Sequence, residues 1–188
     1  MDGSLADAKK VFFDAFHSQY KKYDPIKELG LAALETPSGN IEKDKYHILD
    51  KFLALSFDEE VKRFDDILKN GPSKDSNTEY FFQVETSSDN EVVGYASMQY
   101  NSAKRKCYIH QLGVKPDHWG NGIGRQLVFA LRDSGICSDL SSICVLTRRI
   151  NQEGIDFYKR IGFAEVSLDA TGDSFLDFTK YIQLEWNI

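Results

Sequence analysis

Apolar positions at three- and four-residue steps dominate the start of the chain. Ala8, Val11, Phe12, Ala15 and Phe16 follow "SLAD", in which Ser4 and Asp7 have capping-box spacing, so a helix is expected from about Leu5 to Tyr20. A second helix is expected to start at Ser56, with Glu59 three residues on. Phe57, Val61, Phe64 and Leu68 would form its apolar stripe, and Asn70-Gly71-Pro72 would end it. Between the two, "ETPSGN" reads as a loop and "YHILDKFLAL" fits helix or strand.

The second half changes period. "EYFFQVET", "EVVGYASMQY" and "KCYIHQLGV" are β-branched and aromatic runs separated by "SSDN" and "NSAKR", the pattern of a three-stranded meander. Three alternate glycines, Gly120, Gly122 and Gly124, come next. Beyond them Ile123, Leu127, Ala130 and Leu131 share one helical face that Gly135 can close. "SSICVLTRR" reads as a buried strand, "NQEGIDFYKRIG" as a compact helix with Asn151 as N-cap and Gly162 at C′, and "FAEVSLDA" and "YIQLEWNI" as two more strands. Strand, glycine turn, helix, strand, helix is an α/β order, and Leu112 to Leu146 fits one right-handed crossover. The glycine turn then lies at the carboxyl end of its strand, where such folds place ligands.

Composition narrows the class. At 188 residues and 41% hydrophobic, one domain is expected, burying roughly 70% of the surface its unfolded form exposes. No apolar run approaches the roughly 20 residues of a membrane span, and "MDGSLADAKK" has acids where a signal peptide has a basic start, so a cytoplasmic protein without a membrane partner is expected. Cys107, Cys137 and Cys144 are odd in number and lack CxxC spacing, which argues for reduced thiols and against a disulfide framework or a zinc site. The net charge of −6 argues against nucleic acid as a partner. Its distribution says more: residues 101–160 carry ten Lys or Arg against five acids, which leaves the remainder at −11. Such a basic island suits a small polyanion, or is a solvated mixed surface.

Small residues leading into a helix expose several backbone N–H groups and add the positive end of the helix dipole, an arrangement that holds an anion without side chains. Two nucleotide motifs fail on residue identity. No Lys-Ser or Lys-Thr follows the glycines as a Walker loop requires, and Arg125 stands where the dinucleotide fingerprint needs Gly or Ala. A glycine-rich turn with no ligand is the other reading of the glycines taken alone.

The wider spacing decides between them. "VKPDHWGNGIGRQL" resembles motif A of the GNAT superfamily of N-acetyltransferases, and "NQEGIDFYKRIGF" resembles its motif B: Asn151, Tyr158 seven residues on, then Gly162-Phe163 opening a strand. Trp119 stands where that family usually has Gln or Arg, and Gly154 where it commonly has Ala. The resemblance implies a mixed α/β (α+β) fold with a central, mostly antiparallel twisted sheet flanked by helices, a mainly helical acceptor-side region over residues 1–78 and an acetyl-CoA-binding core over 79–188. The family also leads one to expect a strand before the first helix, placed here within residues 24–55 or lost.

The same resemblance implies transfer of an acetyl group from acetyl-CoA, with no metal, to a primary amine by direct attack in a ternary complex. It assigns cofactor contacts to Leu112, Gly113 and Val114 along the strand and to Trp119, Gly120, Asn121, Gly122, Ile123, Gly124 and Arg125 in the turn. Asn151 is a further cofactor contact, a helix N-cap, or both. Tyr158 is the expected acid for the departing thiolate and His110, on the same strand face as Tyr108 and Leu112, the candidate base. The acceptor pocket would draw on residues near Phe16 to Lys27 and on "DATGDSFLDFTK", where Asp173 and Asp177 could attract a cation. A small amine, an antibiotic, a peptide N-terminus and a protein lysine are all open as acceptors. The alternation in "YIQLEWNI" would let that strand pair across an edge, which makes it a candidate homodimer interface. The alternative function is a non-catalytic acyl-CoA sensor of the same fold, and a third is a generic phosphate-binding domain.

Overall fold

Helix α1 (Asp2–Tyr20) and helix α2 (Ile41–Asn70) open the computed structural model, which describes residues 2–24, 26, 37–70, 78–133, 139–167 and 178–188. Strands β1 (Thr78–Thr86), β2 (Val92–Asn101) and β3 (Lys106–Val114) follow. A short 3-10 turn at Pro116–His118 then leads into helix α3 (Ile123–Asp133). Strand β4 (Ser142–Arg148), helix α4 (Gln152–Arg160), strand β5 (Ala164–Val166) and strand β6 (Tyr181–Asn187) complete the order. The sheet is six-stranded in the order β1-β2-β3-β4-β6-β5, a mixed sheet of mostly antiparallel strands, as expected. β3 and β4 run parallel, as the crossover requires, whereas β6 is antiparallel to both β4 and β5.

The chain divides into two compact units: Met1–Lys74 with Val84–Tyr95 and Gly113–Gly124, and Asp75–Gln83 with Ala96–Leu112 and Arg125–Ile188. In the first, α1 buries Ala8, Val11, Phe12 and Ala15, the stripe read from the sequence. α2 buries Ile48, Leu49, Leu53 and Phe57. The rings of Phe12, Phe57 and Tyr95 form one cluster, with centroids 5.4 Å apart for Phe12 and Phe57 and 6.1 Å for Phe57 and Tyr95. Each such side chain is worth roughly 1.5–3 kcal/mol when fully buried. The second unit buries Met98, Cys107, Ile109, Leu127, Val128, Ile143, Cys144, Val145, Ile155, Tyr158, Phe163, Ile182 and Leu184. Trp186 joins that core through Phe129 and Phe163, at centroid distances of 5.2 and 5.9 Å.

Three expectations are corrected. α2 starts at Ile41 and runs straight through Ser56, so "YHILDKFLAL" is helix and Ser56 caps nothing. The real start is Asn40, whose side-chain oxygen accepts the Lys43 N–H at 3.2 Å, braced by buried Asp44 accepting from the Ser38 N–H at 2.8 Å and hydroxyl at 2.9 Å. Second, β6 is an interior strand between β4 and β5: β4 pairs along all of it and β5 over Gln183–Glu185, so it is not the edge strand that the expected homodimer pairing requires. Third, "FAEVSLDA" yields only the short β5 within the described residues.

Among the described residues no strand precedes β1, and residues 41–55 are helical. Residues 25 and 27–36, Gly135, Cys137, Asp173 and Asp177 lie outside the described residues.

Candidate acetyl-CoA site

In the first unit, the turn after β3 is built by backbone constraints. Pro116 opens the 3-10 turn at its first position, where the missing N–H costs nothing, and the His118 N–H donates to the Lys115 carbonyl at 2.9 Å. Lys115 is 6% exposed. Its backbone N–H donates to the Val93 carbonyl at 2.9 Å, and its ammonium pairs with Glu91, whose carboxyl it holds below the usual range. Gly120 and Gly122 have φ of +83° and +82°, a region that costs other L-residues about 1–2 kcal/mol. A Cβ on either would meet nothing within 4 Å, so the side-chain positions of both glycines face open space. Asn121 is exposed, whereas Ile123 is 9% exposed and anchors the first turn of α3 in the core. Gly124 lies inside that first turn, without a positive φ.

Gly113 and Val114 belong to the same unit. A Cβ on Gly113 would lie 2.7 Å from the ring of Tyr95, which is fully buried, so close packing accounts for that glycine. The Val114 carbonyl accepts the Trp119 indole N–H at 2.7 Å. Trp119 is 41% exposed, and the Lys22 ammonium lies 5.6 Å from its ring centre. Neither contact was readable from sequence: Lys22 is remote, the Val114 carbonyl is a backbone group that no residue identity marks, and the only hint was an aromatic ring at a position the family usually gives to Gln or Arg.

The second unit holds Leu112, His110, Arg125, Asn151 and Tyr158. β3 pairs with β4 only over Lys106–Ile109 and Ser142–Val145, although β3 continues to Val114 and β4 to Arg148. β4 meanwhile pairs with β6 along its whole length. His110 and Leu112 therefore sit on β3 beyond the parallel ladder. His110 is exposed, and its Nε2 lies 2.8 Å from the Gln99 side-chain oxygen on β2. Arg125 is exposed and lays its guanidinium over Phe129, one turn down α3, at 4.7 Å.

Asn151 caps α4: its side-chain oxygen accepts the Gly154 N–H at 3.1 Å and its amide nitrogen donates to the Thr147 hydroxyl at 3.0 Å. Gly154 makes room for this, because a Cβ there would lie 2.4 Å from that nitrogen. At the other end Gly162, φ +114°, reverses the chain, and the Phe163 N–H donates to the Tyr158 carbonyl at 3.0 Å in a Schellman closure. Tyr158 is 6% exposed, its ring 5.0 Å from that of Phe157 and 5.2 Å from that of Phe163. Burial pushes its phenol well above the ordinary tyrosine value, so it stays neutral and able to donate.

Burial also raises the Cys144 thiol to about 12, and Cys107 and Cys144 are both buried and outside any disulfide. Among the described residues no group of three or more His, Cys, Asp or Glu could hold a metal ion, and no helix is long and apolar enough to cross a membrane.

The chain belongs to the acetyltransferase (GNAT) family, whose profile matches residues 45–163. It is 29% identical over 87 residues to a streptothricin acetyltransferase of Streptomyces lavendulae, a match covering 46% of this chain and 46% of that protein. It thus spans about half the length of that curated relative. Among solved structures, the PaiA N-acetyltransferase of Thermoplasma acidophilum, in complex with coenzyme A, superposes with a TM-score of 0.59 over 98% of this chain and 92% of that one, at 15% identity. The fold is accordingly that of the family.

Proposed function

We propose that the protein is an acetyl-CoA-dependent N-acetyltransferase that transfers an acetyl group to a primary amine by direct attack in a ternary complex. The observation that carries this reading is the glycine turn. Two positive-φ glycines with open space on their side-chain positions lead into an eleven-residue helix, in a chain whose family is acetyltransferases. Backbone N–H groups of such a turn, leading into a helix N-terminus, suit a diphosphate. Acetyl-CoA, when bound, supplies the acyl group as a thioester.

The residues divide the work. Gly120, Asn121, Gly122, Ile123 and Gly124 would hold the diphosphate through their backbone, with Arg125 adding charge at the first turn of α3. Leu112, Gly113 and Val114 would align the pantetheine arm as a strand backbone does. Asn151 fixes the start of α4 and so the direction of Tyr158, in addition to any contact it makes with the ligand. The Tyr158 phenol, kept neutral by burial, would donate a hydrogen bond to the sulfur as its negative charge develops. His110 is exposed and would take the amine proton directly or through water, and an acceptor that arrives already neutral would need little help.

Thiol release from acetyl-CoA, followed across a panel of polyamines, aminoglycosides, streptothricin-type antibiotics and peptide N-termini, tests the activity. Release that depends on one acceptor class supports the proposal and names the substrate class. Tight acetyl-CoA binding with no release for any amine would replace it by the sensor reading.

A further inference from the structure

Trp119 occupies the position at which the family usually carries Gln or Arg, directly before Gly120. Its indole is fixed at one edge by the hydrogen bond to the Val114 carbonyl, and 41% of the residue is exposed. Lys22 lies just past the C-terminus of α1 and places its ammonium 5.6 Å from the centre of that ring. The segment carrying it is held by the Lys22 N–H donating to the Gln19 carbonyl at 3.4 Å and the Tyr23 N–H to the Tyr20 carbonyl at 3.2 Å. An ammonium over an aromatic face is attracted by the ring quadrupole, enough to bias the rotamers of a long side chain. A lysine is a compact, strongly hydrated charge that binds phosphate as a point charge. The pair therefore sets a cation beside the first residue of the turn, within one unit of the fold.

We propose that Lys22, positioned on the Trp119 ring, gives the diphosphate of acetyl-CoA the cationic contact that the family usually draws from residue 119 itself. This rests on the reading of the glycine turn as the diphosphate cradle. The tryptophan becomes a platform, and the end of α1 becomes part of the cofactor site.

Calorimetric titration of acetyl-CoA at low and high salt, with Lys22→Met, Lys22→Arg and Lys21→Met variants, tests it. Methionine keeps the length and removes the charge. Lys21→Met makes the same change in net charge, but its ammonium lies 5.7 Å from the Tyr46 ring on α2. Lys22→Met is expected to weaken acetyl-CoA about fivefold at low salt, with the deficit shrinking at high salt, while Lys22→Arg restores most of the affinity. Lys21→Met should match the parent protein, and S-acetylpantetheine, which lacks the diphosphate, should bind the parent and Lys22→Met equally. Equal affinity and salt dependence in Lys22→Met and the parent would overturn this proposal alone, as would an equal loss in Lys21→Met, which marks a diffuse field. A loss that vanishes with 3′-dephospho-acetyl-CoA would move the contact to the 3′-phosphate and overturn its assignment to the diphosphate. A parent protein that binds no acetyl-CoA would overturn the cradle reading itself.

Discussion

At Gly120 and Gly122 a Cβ would meet nothing within 4 Å, whereas at Gly154 it would fall 2.4 Å from the Asn151 amide nitrogen. The turn and the N-terminus of α4 thus use glycine for opposite reasons. In the turn, glycine permits a backbone path that other residues resist and leaves the space beside it open. In α4, glycine yields its space to a neighbour, and the cap that fills it is a finished structural contact. A glycine with open space beside it is explained by the backbone path it must take; one whose space is already filled is explained by packing.

Five predictions break or sharpen this contrast, and the largest concerns α4. Tyr158→Phe keeps the ring packed against Phe157 and Phe163 and removes only the hydroxyl, so kcat is expected to fall about 100-fold with KM for acetyl-CoA within about twofold. Because burial raises the phenol's pKa, its neutral form persists as pH rises. In steady-state profiles the parent enzyme should therefore gain activity as the acceptor amine loses its proton and show no decline from tyrosine ionisation up to about pH 10. A parent-like kcat in Tyr158→Phe would reduce Tyr158 to packing.

Next comes the turn itself. Gly122→Ala meets no neighbour but must hold a φ of +82°, so it should raise KM for acetyl-CoA about tenfold while leaving kcat near the parent value, as measured by saturation kinetics. Smaller again is Asn151→Ala, expected to cost about 1 kcal/mol in denaturant unfolding through loss of the cap, whereas Asn151→Asp keeps the acceptor for the Gly154 N–H and most of that stability. The smallest expected signal is chemical: with its thiol raised to about 12, Cys144 should stay unmodified by iodoacetamide at neutral pH in the folded protein, as read by peptide mass mapping.

Much of this was legible because it lies in local spacing. Asn151, Tyr158 and Gly162 announce a capped, Schellman-closed helix within twelve residues, and the glycines announce a turn that only they can make. The family and its fold followed from those two stretches. The rest depends on partners far apart in sequence. Ser56 and Glu59 imitate a capping box, but the run from Ile48 to Phe57 buries one continuous stripe, and tertiary packing carried the helix through them. The alternation of β6 shows that it is a strand and cannot show which strands flank it. The Lys22 ammonium reaches the Trp119 ring from the end of α1, nearly a hundred positions away, and has no sequence signature.

Calorimetric titration of the full chain with acetyl-CoA, with CoA and ATP as comparison ligands, tests most directly whether the open turn is a cofactor cradle. Saturable one-to-one binding of acetyl-CoA and CoA, with ATP bound far more weakly, is the predicted result. Failure of both CoA species to bind would contradict the account and leave the glycine turn as structure alone.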